Sequence, residues 1–146
     1  MIDTIQFTVD KFTFSIATDR LYTPEGLWVK PEPEGVRIGL SDYLQQRSGD
    51  IAFVEVQPAG SELTAGEEIV VIETIKVNIG LGSPASGKIL QVNPILEEAP
   101  EMINQEPYQS GWIATMEAAQ WEEDKPNLLD AQSYLAKART EAESEA

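Results

Sequence analysis

Cysteine and histidine are both absent from the 146-residue sequence. Without cysteine, the chain has no disulfide, no thiolate metal site and no redox dithiol of its own. Without histidine, it lacks the most frequent general base and the most frequent metal ligand of proteins. These two absences exclude most hydrolytic triads and zinc sites, so an enzyme built on this chain would have to use paired carboxylates.

Long apolar runs are missing as well. No stretch approaches the roughly 18 apolar residues that a membrane-spanning helix requires. Residues 1–12 (MIDTIQFTVDKF) contain neither the basic region nor the apolar region of a secretory signal. We therefore expect a cytoplasmic protein without a membrane partner.

Positive charge is scarce, because 10 Lys and Arg residues face 25 Asp and Glu residues, for a formal net charge of −15. Such a surface repels nucleic-acid phosphates and anionic lipids, which argues against nucleic acid as a partner. It favours a protein partner with a basic docking surface, since opposite potentials accelerate encounter. The alternative is that the acidity only keeps the chain soluble.

Short strand-like segments separated by turn residues fill the chain to about residue 95. Apolar and polar residues alternate over 5–16 and 51–56, and residues 69–72 form an apolar run of strand length. Glycine and proline separate these segments. The pattern predicts a mainly β fold, an antiparallel sandwich or flattened barrel, with short helices and a C-terminal helix over about 127–138.

The organisation of the chain predicts three parts. Residues 1–19 form an N-terminal extension, interpreted as a strand pair that turns at Asp10 and Lys11. Residues 20–138 form the main domain, including the C-terminal helix. Residues 139–146 form an acidic tail that we expect to fray.

Lys76 is the candidate functional residue. It follows the apolar run 69–72 and a Glu-Thr-Ile step, and a turn and a strand lie on each side of it. If this step is a hairpin tip, the ammonium group stands clear of the body and is accessible to an enzyme that attaches a cofactor. The alternative is a solvated turn lysine without a function, one of six lysines in the chain.

A series of ordered motifs surrounds Lys76. They are 22–29 (YTPEGLWV), 38–43 (IGLSDY), 49–51 (GDI), the turn 60–66, 72–76 (IETIK), 83–87 (SPASG), 92–96 (VNPIL), 100–108 (PEMINQEPY) and 111–112 (GW). In this order they resemble the glycine-cleavage H-protein family. The resemblance covers about residues 20–136.

The resemblance implies a fold, a cofactor and partners. The fold is a lipoyl-type sandwich (a barrel-sandwich hybrid), which makes residues 20–138 an H-protein-like lipoyl domain. The cofactor is lipoate in amide linkage to Lys76, with Glu73, Ile75 and Val77 as residues flanking the arm, and with no metal and no active site of its own. The partners are a lipoate ligase or transferase and dihydrolipoyl dehydrogenase.

Biotin is the alternative cofactor, since a biotin carrier also presents its lysine on a hairpin. Biotin sites resemble Met-Lys-Met, whereas the neighbours of Lys76 are Ile75 and Val77. The sequence around Lys76 therefore favours lipoate.

The sequence departs from the family pattern near the expected arm. Gly26 stands where the family's H-x-W motif has histidine, and 77–84 (VNIGLGSP) replaces the pattern A-x-x-D-[VL]-x-S-P. The lost histidine and the sequence Ile-Lys-Val-Asn at 75–78 increase the resemblance to one group within the family. This group consists of H-like lipoate-binding proteins of sulfur oxidation, which serve a heterodisulfide-reductase-like sulfur-transfer complex. The alternatives are an authentic H protein, shuttling an aminomethyl group between the glycine cleavage P and T proteins, and an unmodified H-like scaffold.

Overall fold

The computed structural model describes residues 2–145, which form three antiparallel sheets and four short to medium α-helices. The strands are β1 Thr4–Val9, β2 Phe12–Ala17, β3 Leu21–Tyr22, β4 Leu27–Glu32, β5 Gly35–Leu40, β6 Ile51–Val56, β7 Glu62–Leu63, β8 Glu68–Thr74, β9 Asn78–Gly82, β10 Gly87–Val92 and β11 Ala114–Ala118. The helices are α1 Asp42–Ser48, α2 Met102–Gln105, α3 Trp121–Asp124 and α4 Ala131–Glu145. Single 3₁₀ turns occupy Pro94–Glu97 and Lys125–Asn127.

The main domain is a sandwich of two sheets. The larger sheet has six strands in the order β3-β4-β5-β11-β10-β7, and the smaller has three in the order β6-β8-β9. Both sheets contribute to an aliphatic core that includes Ile38, Ile72 and Ile89, each almost completely buried. The mainly β class, the antiparallel sheets, the short helices and the C-terminal helix predicted from the sequence are confirmed.

A second, aromatic core lies beneath the N-terminal hairpin that β1 and β2 form. Phe7 and Phe14 from the hairpin pack with Tyr43 of α1, at ring-centroid distances of 6.1 and 5.1 Å from Tyr43. Tyr22 and Tyr134 stack at 4.5 Å in the same cluster. Burial raises the pKa of both of these phenols above the ordinary value, so they stay protonated. The Tyr22 hydroxyl donates to the Ala17 carbonyl at 2.7 Å.

The hairpin turns at Asp10, which has φ of 56°, and Val9 pairs with Phe12 across the turn. Asp tolerates this left-handed backbone better than most side chains, so a two-residue turn is available here. The backbone of β2 is tied to the main domain, since Ser15 N–H donates to the Asp42 carboxylate at 2.9 Å. Residues 4–17 therefore form an ordered addition to the sandwich.

Helix α4 is longer than predicted and begins later. Residues 125–127 form a 3₁₀ turn, and Asp130 accepts a hydrogen bond from Ser133 N at 2.8 Å where α4 starts. The prediction of a frayed tail differs from the structure, in which residues 139–145 continue α4 and residue 146 lies outside the described residues. The physical reason is tertiary, because Ala138 is buried against the aromatic core and Arg47 of α1 forms ion pairs with Glu141 and Glu145.

Among residues 2–145, no helix has both the length and the apolar character needed to cross a membrane.

Candidate functional site

Lys76 lies at the tip of the hairpin that connects β8 to β9. The turn is closed by a hydrogen bond from Thr74 N to the Val77 carbonyl at 2.8 Å. The Thr74 hydroxyl accepts hydrogen bonds from the backbone N–H groups of Lys76 and Val77 at 3.1 and 3.0 Å. One threonine side chain therefore holds the backbone of the lysine in place.

The tip is anchored to the C-terminal end of α1. The Thr74 hydroxyl donates to the Ser48 carbonyl at 2.8 Å, and the Lys76 ammonium donates to the Arg47 carbonyl at 3.0 Å. Carbonyls in the last turn of a helix lack intrahelical partners and carry partial negative charge, which favours a cation there. The ammonium is exposed, yet it rests on α1 rather than standing clear of the body.

The three residues predicted to flank the arm share this tip but face different ways. Ile75 is 99% exposed at its apex. Val77 is partly buried, and Glu73 accepts a hydrogen bond from the Asn78 side chain at 3.2 Å across the strand pair. The Glu73 carboxylate is thus paired with β9 and forms no ion pair with Lys76 within the described part of the chain.

A cleft of about 890 Å³ opens beside Lys76. We call it the lysine cleft. Its lining includes Val9, Phe12 and Phe14 of the N-terminal hairpin, Tyr43, Leu44 and Arg47 of α1, Ile79 and Leu81 of β9, and Lys137, Glu141 and Ala142 of α4, with Lys76 and Val77 beside them. Four separate parts of the chain therefore meet around the lysine.

The lysine cleft has an apolar side and a charged side. The hairpin and β9 supply aromatic and aliphatic side chains, whereas Arg47 and Glu141 form an ion pair at 2.8 Å and Lys137 also contacts Glu141. Burial raises the pKa of Tyr43, so this phenol is neutral inside the cleft. Such a lining suits an aliphatic chain that ends in a small apolar group.

Gly26, which stands where the family pattern has histidine, has little room for a side chain. Its φ is 114°, and a Cβ atom built on it would lie 3.0 Å from both the Leu44 Cβ and the Tyr134 hydroxyl. That hydroxyl is hydrogen-bonded to Ser41 at 2.8 Å, inside the aromatic core. Tyr134 of α4 therefore occupies the space that a side chain at position 26 would need.

Sequence reasoning did not identify several residues of the site. Thr74 and Arg47 act through a hydroxyl and a backbone carbonyl, for which no sequence motif gives a signal. Phe12 was interpreted only as part of a strand, and the second half of α4 as a tail. The alternation over 5–16 showed that two aromatic residues share one face of β2, but it gave no information on what that face contacts.

Two residues of the motif 100–108 have structural roles. The Asn104 side chain accepts from Ile51 N at 2.9 Å and donates to the Gly49 carbonyl at 3.0 Å, which fixes the connection between α1 and β6. The Tyr108 hydroxyl donates to the Ser15 carbonyl at 2.8 Å and holds β2 against the sandwich. Both contacts stabilise walls of the lysine cleft without lining it.

Comparison with known proteins gives a consistent result. The family model described as "Glycine cleavage H-protein" matches residues 20–141. The glycine cleavage system H protein of Bacteroides fragilis is 41% identical over 115 residues, which cover 79% of this chain and 90% of that protein. The H protein of Thermus thermophilus is 37% identical over 127 residues, covering 87% and 98%.

The fold is also similar to a solved structure. The crystal structure of a glycine cleavage system H protein from Mycobacterium marinum superposes with a TM-score of 0.74 at 30% sequence identity. The match covers 84% of this chain and 98% of the solved chain. The N-terminal hairpin, residues 4–17, precedes the residues that the family model matches.

Proposed function

We propose, from the premise that the chain belongs to the glycine cleavage H-protein family, that it is a carrier of covalently bound lipoate and that Lys76 is the attachment residue. The observation that carries the proposal is the placement of Lys76. It lies at an exposed hairpin tip, in the motif 72–76, with its ammonium group at the edge of the lysine cleft, one side of which is apolar.

The residues around Lys76 fit a lipoyl group. The apex of the tip is accessible to an attaching enzyme, because the Ile75 side chain at the apex is exposed to solvent. Amide formation removes the positive charge of Lys76 but leaves one N–H, which retains the ability to donate to the Arg47 carbonyl. The Thr74 hydroxyl fixes the backbone from which the arm extends. When bound, lipoate supplies a disulfide that is reduced to a dithiol and exchanges with other thiols.

The chain itself contributes no catalytic group in this proposal. It contains no cysteine and no histidine, and its role is to present the arm to a lipoate ligase or transferase, to dihydrolipoyl dehydrogenase and to the enzymes that use the arm. The cytoplasmic location expected from the sequence belongs to the same proposal.

For the partner system we propose a heterodisulfide-reductase-like sulfur-transfer complex. The departures at positions 26 and 77–82 support this choice. Gly80 stands where the family pattern has an aspartate. The β9 side of the lysine cleft instead presents Ile79 and Leu81.

Glycine cleavage is the second candidate, with the P and T proteins as partners. The names of the relatives favour it, since the Bacteroides fragilis and Thermus thermophilus proteins are both glycine cleavage system H proteins. An H-like scaffold that never carries lipoate is the third candidate, and the state of Lys76 distinguishes it from the other two.

Peptide mass spectrometry tests the attachment site. The full chain is incubated with lipoate ligase, ATP and lipoate, beside a known H protein as a positive control. We expect lipoate on Lys76 alone, none on Lys76→Arg, and unchanged modification on Lys88→Arg, the same substitution at an exposed lysine of β10. Lipoate on the Lys76→Arg protein would disprove the assignment, and an unmodified wild type beside a modified control would favour the scaffold.

Intact-mass analysis then distinguishes the partner systems. Lipoylated protein is incubated in two ways: as the disulfide, with glycine decarboxylase and glycine, since the aminomethyl group is transferred with reduction of the S–S bond, and as the dithiol, with the sulfur-transfer complex and a sulfane-sulfur donor. Sulfur gained only from the second system supports the proposed partner. An aminomethyl mass gained from the first system supports glycine cleavage instead.

A further inference from the structure

We propose that the N-terminal hairpin is an added wall of the arm-binding site, in which Phe12 and Val9 contact the sulfur-bearing end of the arm, as the dithiolane and as the open dithiol, and shield its two sulfur atoms from reagents in solution. This proposal rests on the proposed attachment of lipoate at Lys76. It concerns residues that precede the part of the chain matched by the family model, which begins at residue 20.

The geometry brings the hairpin to the arm. Val9 and Phe12 adjoin the turn of the hairpin and line the same cleft as Lys76. β9 and α4 also line this cleft, and α4 packs against β1. An arm that leaves Lys76 along the cleft therefore has both the aliphatic side chains of β9 and the aromatic side chains of the hairpin within its walls.

In this proposal, Phe12 is the main residue of the hairpin that contacts the lipoyl arm. Its side chain is 60% exposed, although phenylalanine is usually buried. Phe12 stacks on Phe14 at 6.4 Å, and Phe14 packs edge-on against Tyr43 at 5.1 Å. These three rings form a continuous aromatic row from α1 to the rim of the cleft. The outermost ring, that of Phe12, is exposed to solvent.

The wall is anchored to α1 and α4 by contacts that involve no ligand. The Ser15 N–H donates to Asp42 at 2.9 Å, and the Gln46 side chain donates to the Thr13 carbonyl at 3.0 Å. The Arg139 guanidinium of α4 lies 5.6 Å from the Phe7 ring on β1. Because the hairpin is held at both strands, binding of the arm requires little ordering of the protein.

The chemistry of the ring matches the wall. A dithiolane is small, apolar and polarizable, and sulfur makes favourable contacts with the edges of aromatic rings. Contact with Phe12 also removes water and dissolved reagents from the two sulfur atoms. The hairpin therefore protects the arm between encounters with partner enzymes.

Thiol alkylation gives a direct test, because the chain has no cysteine and the lipoyl thiols are then the only thiols of the protein. The lipoylated full chain is reduced, the reductant is removed, and the rate of modification by iodoacetamide is followed by intact-mass spectrometry. Phe12→Ser is compared with Phe53→Ser, a matched change at a phenylalanine that is 69% exposed on β6 and does not line the cleft.

We expect alkylation of Phe12→Ser to be about fivefold faster than that of the wild type, the change that corresponds to about 1 kcal/mol of lost contact. Phe53→Ser and the conservative Phe12→Leu should react at the wild-type rate. Val9→Ser provides a second variant at the same wall and should also react faster. Circular dichroism verifies that each variant is folded.

Equal rates for folded Phe12→Ser, Val9→Ser and wild type would overturn the proposal and leave the carrier function intact. A wild-type protein that shows no alkylation because it bears no lipoate would instead disprove the proposed function. The two failures are therefore distinguishable in one experiment.

Discussion

At the residue scale, the orientation of Lys76 depends on the hydroxyl of Thr74. This oxygen accepts from two backbone N–H groups of the tip and donates to the Ser48 carbonyl. Thr74→Val keeps the shape of the side chain and removes all three contacts. We expect it to lower the free energy of unfolding by about 1–3 kcal/mol and to slow lipoylation.

Urea unfolding and the initial rate of the ligase reaction measure the two effects. Thr74→Ser is the control, since it keeps the hydroxyl and should retain most of the stability. A Thr74→Val protein with wild-type stability and wild-type lipoylation would show that the tip does not need this oxygen.

A comparison of Gly26 with Gly60 distinguishes the stability cost of backbone strain from that of steric exclusion. Gly26 and Gly60 have similar φ values of 114° and 93°, but a Cβ on Gly26 meets Leu44 and Tyr134 whereas a Cβ on Gly60 has no atom within 4 Å. Gly60→Ala should cost about 1 kcal/mol, the penalty of an alanine at positive φ. Gly26→Ala adds steric exclusion and should cost about 1–3 kcal/mol more.

Denaturant unfolding of both variants measures this difference. An equal cost at the two positions would mean that Leu44 and Tyr134 move aside easily. In that case the loss of the family histidine at position 26 would need an explanation other than the packing of α4.

The ion pair between Asp19 and the buried Arg20 makes the stability of the fold depend on pH. Burial raises the pKa of Asp19, but the hydrogen bond and charge of Arg20, together with Lys30, outweigh it and hold the pKa below the ordinary value of 3.8. A carboxyl whose pKa is lower in the folded state stabilises the fold above pH 3.8, and this contribution is lost as the pH falls through the folded-state pKa.

Asp19→Asn should therefore lower the melting temperature at neutral pH, and the gap to the wild type should narrow at acid pH. Thermal melts between neutral pH and the acid range measure the gap. Glu34→Gln, a change at an exposed turn carboxylate, serves as the control. A gap that widens on acidification would contradict the assigned direction.

At the scale of elements, α4 is held to α1 by the side chain of Arg47. Its two ion pairs, with Glu141 and Glu145, join partially exposed groups, and such pairs contribute little to global stability. Arg47→Gln should change the free energy of unfolding by less than about 1 kcal/mol. It should nevertheless accelerate amide exchange over residues 141–145, since the last turn of α4 then frays.

Hydrogen exchange resolved by residue measures this local effect. Lys137→Gln is the control, because it removes a contact within α4 but leaves both contacts to α1. Unchanged exchange at the end of α4 in Arg47→Gln would mean that packing of Ala138 and its neighbours is sufficient to order the helix.

The sequence predicted elements that depend on local pattern. The hairpin turn at Asp10 and the tip around Lys76 follow from the alternation of apolar and polar residues and from the turn residues between strands. It did not predict the end of α4, because Arg47 and Glu141 are far apart in sequence and their contact leaves no periodic signal. The lysine cleft was not predicted for the same reason, since Phe12, Ile79 and Ala142 meet only in the folded chain.

At the scale of the whole molecule, the net charge of −15 destabilises the folded chain through self-repulsion and disfavours the close approach of two copies of the protein. Salt screens this repulsion, since the Debye length falls from about 30 Å at 0.01 M to about 8 Å at 0.15 M. We expect the melting temperature to rise over this range of sodium chloride. Association with a basic partner should become slower over the same range.

Calorimetry and stopped-flow association experiments measure these two trends. A neutral osmolyte at equal osmolality is the control for effects unrelated to charge. A melting temperature that falls with salt would show that attractive ion pairs, such as those of Arg47, outweigh the general repulsion.

The pairing of Tyr22 with Leu129 has a consequence for the order of events during synthesis. Reciprocal backbone hydrogen bonds of 2.8 Å join these residues, and Tyr22 stacks on Tyr134 of α4. The ribosome makes Lys76 and its hairpin tip well before α4, so a growing chain presents the lysine while one wall of the cleft is still missing. The lysine cleft is therefore complete only when α4 has docked on Tyr22.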